Sequence, residues 1–214
     1  MQKTNDAAAL SLLHCSFSPT VKMAATNQLC LEKIISGGQC GADRAGLDAA
    51  KQLGLQTGGF APKGFRTEGG AAPELAELYG IQETATTGYV QRTIANVNAA
   101  DATVAFMMVA NPSMGNGTRK TVGYCLHGKW CFPADSSEWQ RIGAKHPVIV
   151  IDAGRWNIAP GRFDNECWHE DATQLREFLA KHNVRVLNVA GHCEFAEGTW
   201  GTAVRMFLEN ALRK

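Results

Sequence analysis

From residue 32 onward the chain alternates short, continuous apolar runs with amphipathic stretches, and this alternation limits the possible folds more than any other feature. The expected strands are Lys33–Ser36, Thr57–Phe60, Thr103–Val109, Pro147–Ile151 and Val184–Val189. Most are unbroken apolar runs, the pattern of strands buried on both faces. The expected helices are Asp43–Leu53, Pro73–Tyr79, Gly88–Asn98, Thr118–His127, Ala172–Lys181 and Thr199–Leu212. In the first of these, Leu47, Ala50 and Leu53 share a face, Asp43 is placed to cap the start and Gly54 to end it. In the last, Val204, Phe207, Leu208, Ala211 and Leu212 form a stripe suited to core packing. Strand–helix alternation with short links specifies an α/β fold: a doubly wound, mainly parallel sheet with helices on both faces.

A chain of 214 residues can bury one sizeable core. Residues 31–214 are expected to form a single ligand-binding domain, without internal repeats. Residues 129–146, "KWCFPADSSEWQRIGAKH", read as a loop inserted between a helix and a strand. Residues 1–30 are rich in Ser, Thr and Ala, with Asp6 as their one acidic residue, and are expected to lie outside the fold.

Ligands of doubly wound sheets collect at the carboxyl ends of the strands, next to helix N-termini. The stretch "IISGGQCGADRAGLDAAKQLG" (34–54) places a glycine turn at such a junction. Without Cβ atoms at Gly37, Gly38 and Gly41, backbone N–H groups can approach a ligand closely, and the following helix start favours an oxyanion. The spacing is neither GxxxxGK[ST] nor GxGxxG, and a tight turn without a ligand is the plainer alternative. Three further segments add to it. "FAPKGFRTEGG" (60–70) carries Lys63 and Arg66 in a loop, "NPSMGNGTRKT" (111–121) places Gly115, Gly117 and Thr118 at a helix start, and "VAGHCEFAEGT" (189–199) is another strand-to-helix junction. Arg92 and Asn96 share one helical face at i,i+4; either Arg92 reaches the same pocket or it is a solvated surface arginine.

Overall charge argues against other partners. A formal net charge of +1 gives no field for a nucleic-acid backbone or an anionic membrane, so an anion has to be held by a local cluster. No apolar run approaches the roughly 20 residues of a spanning helix. Seven cysteines, at 15, 30, 40, 125, 131, 167 and 193, are an odd number without a CxxC pair, as expected of reduced thiols and a cytoplasmic protein.

"SGGQCGADRAGLDAA", "GGFAPKGFRTEGG", "YVQRTIANVNAADATVAF" and "VRVLNVAG" together resemble the molybdenum cofactor carrier proteins. These belong to a Rossmann-like superfamily that includes the lysine-decarboxylase-like phosphoribohydrolases and nucleotide-binding sensors. The resemblance covers roughly residues 32–212. It implies a Rossmann-like fold, a homo-oligomer (dimer or tetramer) and an anion pocket for molybdenum cofactor (molybdopterin), with a nucleotide as the alternative ligand. By match, the pocket uses Gly37, Gly38, Gln39, Gly41, Asp43, Arg44, Lys63, Arg66, Arg92, Asn96, Gly117, Thr118, Arg119 and Glu194. Cys193 stands where the family tends to place an arginine, so Arg119 or His192 is expected to replace that contact.

The phosphoribohydrolase pattern places a glutamate shortly after its glycine turn. Here Arg119, Lys120 and Thr121 follow Gly117 and Thr118, which suits phosphate binding rather than stabilisation of an oxocarbenium-like centre. Asp43 and Glu194 are the substitutes, although Asp43 is more simply a helix cap. No catalytic set is therefore expected, with N-glycosidic nucleotide hydrolysis as the enzymatic alternative. His192, Cys193 and Glu194, or Cys167 and His169, lack the paired spacing of a structural zinc site, and no protein metal site is expected. Cys40 sits in the glycine turn as a small neutral filler or a thiol of depressed pKa. Among the five tryptophans, Trp200 is the one expected beside the pocket.

Overall fold

The computed structural model describes residues 29–108, 116–128, 146–156, 166–193 and 199–213. In chain order the strands are β1 (Lys33–Ser36), β2 (Gln56–Ala61), β3 (Arg66–Thr67), β4 (Gly70–Ala71), β5 (Ile81–Glu83), β6 (Ala102–Met107), β7 (Val148–Asp152) and β8 (Val186–Gly191). The helices are α1 (Ala42–Gln52), α2 (Glu74–Tyr79), α3 (Tyr89–Asn98), α4 (Asn116–His127), α5 (Glu166–Lys181) and α6 (Thr199–Leu212). Six strands pair in parallel in the order β5–β2–β1–β8–β6–β7, and β3 pairs antiparallel with β4 as a separate hairpin. This is the doubly wound α/β sheet that the alternation requires.

Winding direction assigns the helices to faces. The chain steps one way across the sheet through α1, α2 and α5, and the opposite way through α3 and α4. Right-handed crossovers then put α1 and α5 on one face and α3 and α4 on the other. Packing agrees: α1 and α5 both lie against α6, while α3 packs on β2 and on α4. The main core lies under α1, α5 and α6, where Ile34, Val104, Phe106, Ile151, Leu187 and Val189 meet Phe207, Leu208, Leu175 and Trp168. Each such fully buried Leu or Phe contributes about 1.5–3 kcal/mol. All six residues of β6 are buried, so the central strands carry apolar side chains toward both helix layers.

Several elements differ from expectation. β1 and α6 coincide with the expected spans, whereas β5 and the β3–β4 hairpin lie where no strand was expected. α5 begins at Glu166 rather than Ala172, because Trp168, Asp171 and Ala172 already face the core in its first turns. At the start of α1 the N-cap is Gly41, with φ 78°, and no side chain caps the helix. Asp43 is therefore not the cap; its carboxylate turns to Arg92. Nearly all of the expected N-terminal extension and of the 129–146 insertion lie outside the described residues.

Candidate functional site

Because winding reverses between β1 and β6, with β8 between them, the helices diverge above the carboxyl ends of these strands and leave a crevice. A cavity of about 520 Å³ fills it, within the roughly 300–1,000 Å³ of small-molecule sites. Its floor is the end of β8, Ala190–Cys193. One wall holds Gln39 and Asp43 from the β1–α1 junction with Glu68 from the hairpin turn. The other holds Tyr89, Arg92 and Thr93 from α3 and Asn116, Gly117, Thr118, Lys120 and Thr121 from α4.

His192 ties the floor together. Its main-chain N–H donates to Phe106 O (3.2 Å), and its carbonyl accepts from the Ala42 N–H (3.1 Å) and the Trp200 indole N–H (2.9 Å). Its ring Nε2 accepts from the Met108 N–H at 3.0 Å, so the imidazole is held neutral. Burial, aided by the nearby Arg119, pulls its pKa below the usual 6.5. Trp200 lies beneath it, stacked on the imidazole with centroids 5.9 Å apart and buried in the core, so it supports the floor and does not face the cavity.

The ion pair of Arg92 with Asp43, 3.1 Å long, crosses the crevice with side chains 12% and 5% exposed. Gly37 makes this possible: an ideal Cβ at that position would stand 2.0 Å from Arg92 Cζ. Burial pushes the Asp43 carboxyl above its ordinary 3.8, against the pull of Arg92 and of the Gln39 backbone, and Glu68 adds to the rise. Arg92 Nε is buried without a hydrogen-bond partner among the described residues. A buried donor left in that state costs about 1–3 kcal/mol.

At the opposite wall α4 starts at the cavity. Its first described residues, Asn116, Gly117 and Thr118, line it, so the electropositive end of the helix lies at its edge. The buried Thr93, Thr118 and Thr121 also line this space, the Thr121 hydroxyl donating to the Gly117 carbonyl at 3.1 Å.

The sequence-derived residues divide in three. Gln39, Asp43, Arg92, Gly117 and Thr118 line the cavity. Gly37, Gly38 and Gly41 shape it from behind: Gly37 by making room for Arg92, Gly38 by accepting from Arg44 Nη2 (3.4 Å), Gly41 as the α1 N-cap. Others serve elsewhere. Arg44 lies over the Tyr79 ring (5.5 Å) toward α2. Lys63 is exposed away from the lining, and Arg66 rests on Tyr89 at 5.7 Å from the ring centroid. Asn96 is buried and grips the main chain of Phe60, accepting from its N–H and donating to its carbonyl, both at 2.9 Å. Arg119 is exposed on α4 and outside the lining, which instead includes Lys120. Glu194 lies outside the described residues.

Glu68 is the principal lining residue that sequence reasoning missed. Its N–H donates to Gln39 Oε1 (3.0 Å), and Gln39 Nε2 reaches Arg66 O (3.5 Å), so one glutamine pins the hairpin over the crevice. The signal was the "TEGG" turn between two short extended pairs, a two-residue hairpin loop ending in glycine. Cys193 lies beside Glu68, and burial together with that carboxylate pushes its thiol up to about 11. Among the described residues no group of three or more His, Cys, Asp or Glu side chains is placed to hold a metal. No described helix is long and apolar enough to cross a membrane.

Comparison with known proteins adds three findings. No curated protein sequence matches. A crystal structure from Syntrophus aciditrophicus SB, named "putative molybdenum carrier protein", superposes with a TM-score of 0.65 at 29% identity, covering 86% of this chain and 96% of that one. The circularly permutated YpsA SLOG family matches residues 34–212, which span both walls and the floor of the crevice. The chain belongs to the circularly permutated YpsA SLOG family.

Proposed function

We propose that this chain binds a small phosphate-bearing cofactor in the crevice and carries it without transforming it, and that the cofactor is the molybdenum cofactor. The observation that supports this most is Arg92, fixed by Asp43, in the lining of a cavity that the start of α4 also borders. A fixed guanidinium, the electropositive start of a helix and threonine side chains are together a donor set for phosphate. Lys120 adds a second positive charge to the lining. The name of the Syntrophus protein, with 29% identity over most of both chains, favours a molybdenum-bearing ligand. Such a cofactor brings its metal on the dithiolene of its own pterin, so the chain has only to bind, orient and shield it. Residues 31–214 act in this reading as one ligand-binding domain of a cytoplasmic homo-oligomer, dimer or tetramer.

Inorganic pyrophosphate tests the binding mode. At about 100-fold excess over Kd it should stabilise the wild type by about 2.7 kcal/mol. For a chain of this size that is a rise in Tm of roughly 5–10 °C. Arg92→Ala should lose most of that rise. An equal shift in both proteins would contradict the assignment.

A second reading rests on one observation, the two carboxyl groups in the cavity. Asp43 is pushed toward its protonated form by burial, and Glu68 adds to the effect. Two carboxyl groups, one of them with a raised pKa, are the groups that glycosidic hydrolysis uses. That reading requires base release from a nucleoside monophosphate, abolished in Asp43→Asn; a purified wild type that releases no base excludes it.

A further inference from the structure

Apart from the Arg92–Asp43 pair, the charged groups of the cavity are segregated. The α4 wall contributes a helix N-terminus and Lys120, whereas the hairpin side contributes Glu68. Glu68 differs from the other lining carboxylate in having no cation partner among the described residues, its side chain meeting the Cys193 thiol instead. Asp43 is paired with Arg92 at 3.1 Å and is 4% exposed, while Glu68 is exposed and makes no ion pair among the described residues. Its backbone is nevertheless fixed. Besides the bond to Gln39, Thr67 Oγ1 donates to Gly70 O (2.8 Å) and accepts from the Gly69 N–H (3.2 Å), which locks the turn on both sides of Glu68. A carboxylate without a cation partner on a fixed backbone, lining the same cavity as a phosphate-type donor set, fits one chemical class of ligand head group. A carboxylate has two acceptor oxygens and no donor, so it matches two adjacent N–H donors in one plane.

We propose that Glu68 determines ligand specificity by reading the donor edge of a 2-amino-4-oxopyrimidine ring, the ring N–H beside the exocyclic amino group. Pterin and guanine share this edge. Adenine sets a ring-nitrogen lone pair against the carboxylate, and hypoxanthine keeps the N–H but lacks the amino group. The inference rests on the reading of this same cavity as a phosphate-bearing-cofactor site. It adds that the cavity selects its heterocycle from the hairpin side, while the phosphate is held from the α4 side.

The test is calorimetric titration of wild type and Glu68→Gln with guanosine monophosphate, inosine monophosphate, adenosine monophosphate and inorganic phosphate. The wild type should prefer the guanosine over the inosine nucleotide by about tenfold or more, the adenosine nucleotide binding more weakly still. In Glu68→Gln that preference should fall to near unity, while affinity for inorganic phosphate does not fall. Phosphate binding with equal affinities for the guanosine and inosine nucleotides in the wild type would overturn the role of Glu68, as would a preference that survives in Glu68→Gln. Failure of the wild type to bind phosphate and every nucleotide would instead remove the cavity reading itself. Thermal unfolding of unliganded Glu68→Gln, expected to match wild type because the residue is exposed, separates lost recognition from lost folding.

Discussion

Arg92 occupies the space that a side chain on residue 37 would fill, its Cζ standing 2.0 Å from an ideal Cβ built on Gly37. Gly37→Ala is therefore a clean steric test, since the backbone there is not in the left-handed region. The methyl should push the guanidinium off Asp43 and destabilise the fold by about 1–3 kcal/mol, as overpacking does. Pyrophosphate-dependent stabilisation should fall with it, measured as the Tm shift with and without ligand.

Arg92 and Asp43 form a buried pair, and removing one member of such a pair costs about 3–5 kcal/mol. In Arg92→Ala the orphaned Asp43 can escape the penalty by taking a proton. Its folded pKa, already raised from 3.8 by burial, then rises further. The folded state therefore binds the proton more tightly than the unfolded state, and stability falls as pH rises from about 3.8 through the folded value. The cost of Arg92→Ala should thus be larger at pH 7.5 than at pH 5, read from urea unfolding at both.

His192 predicts the opposite slope. Its Nε2 must stay unprotonated to accept from Met108, and its folded pKa lies below 6.5. The stability it provides is complete above pH 6.5 and is lost as pH falls toward the folded value. His146 is depressed in the same direction, so wild type alone cannot separate the two. The difference in unfolding free energy between wild type and His192→Gln should shrink between pH 7.5 and 5.5.

Asn96 is a structural clamp and should behave unlike Arg92, one turn away. Asn96→Ala leaves the Phe60 N–H and carbonyl without their side-chain partner, at about 1–3 kcal/mol for each group left unsatisfied. Stability should drop while the pyrophosphate Kd of the remaining folded protein stays within about twofold of wild type, by calorimetry below the new Tm.

The legibility of the sequence followed burial. β1 and α6 were readable to the residue because Ile34, Ile35, Phe207 and Leu208 put apolar side chains at every position the period demands. β5 was invisible because only Ile81 of its three residues is buried. Within the site, the Gly37–Asp43 turn and the α4 start were legible from their glycines. The roles of Asn96, Arg44 and Asp43 were not, since polar side chains at helical spacing carry no mark of whether they meet a ligand, a main chain or a counter-ion. Glu68 was missed because its hairpin has two residues per strand, too short for alternation to show, and Gln39 holds it from a distant part of the chain.

Whether this chain carries molybdenum cofactor can be read by native mass spectrometry of the freshly purified chain, with molybdenum quantified in the same sample. One pterin-sized ligand per chain is expected, accompanied by molybdenum and lost in Arg92→Ala. A wild type that carries a nucleotide without molybdenum, or that takes up no pterin-type ligand even when offered molybdenum cofactor, would contradict it.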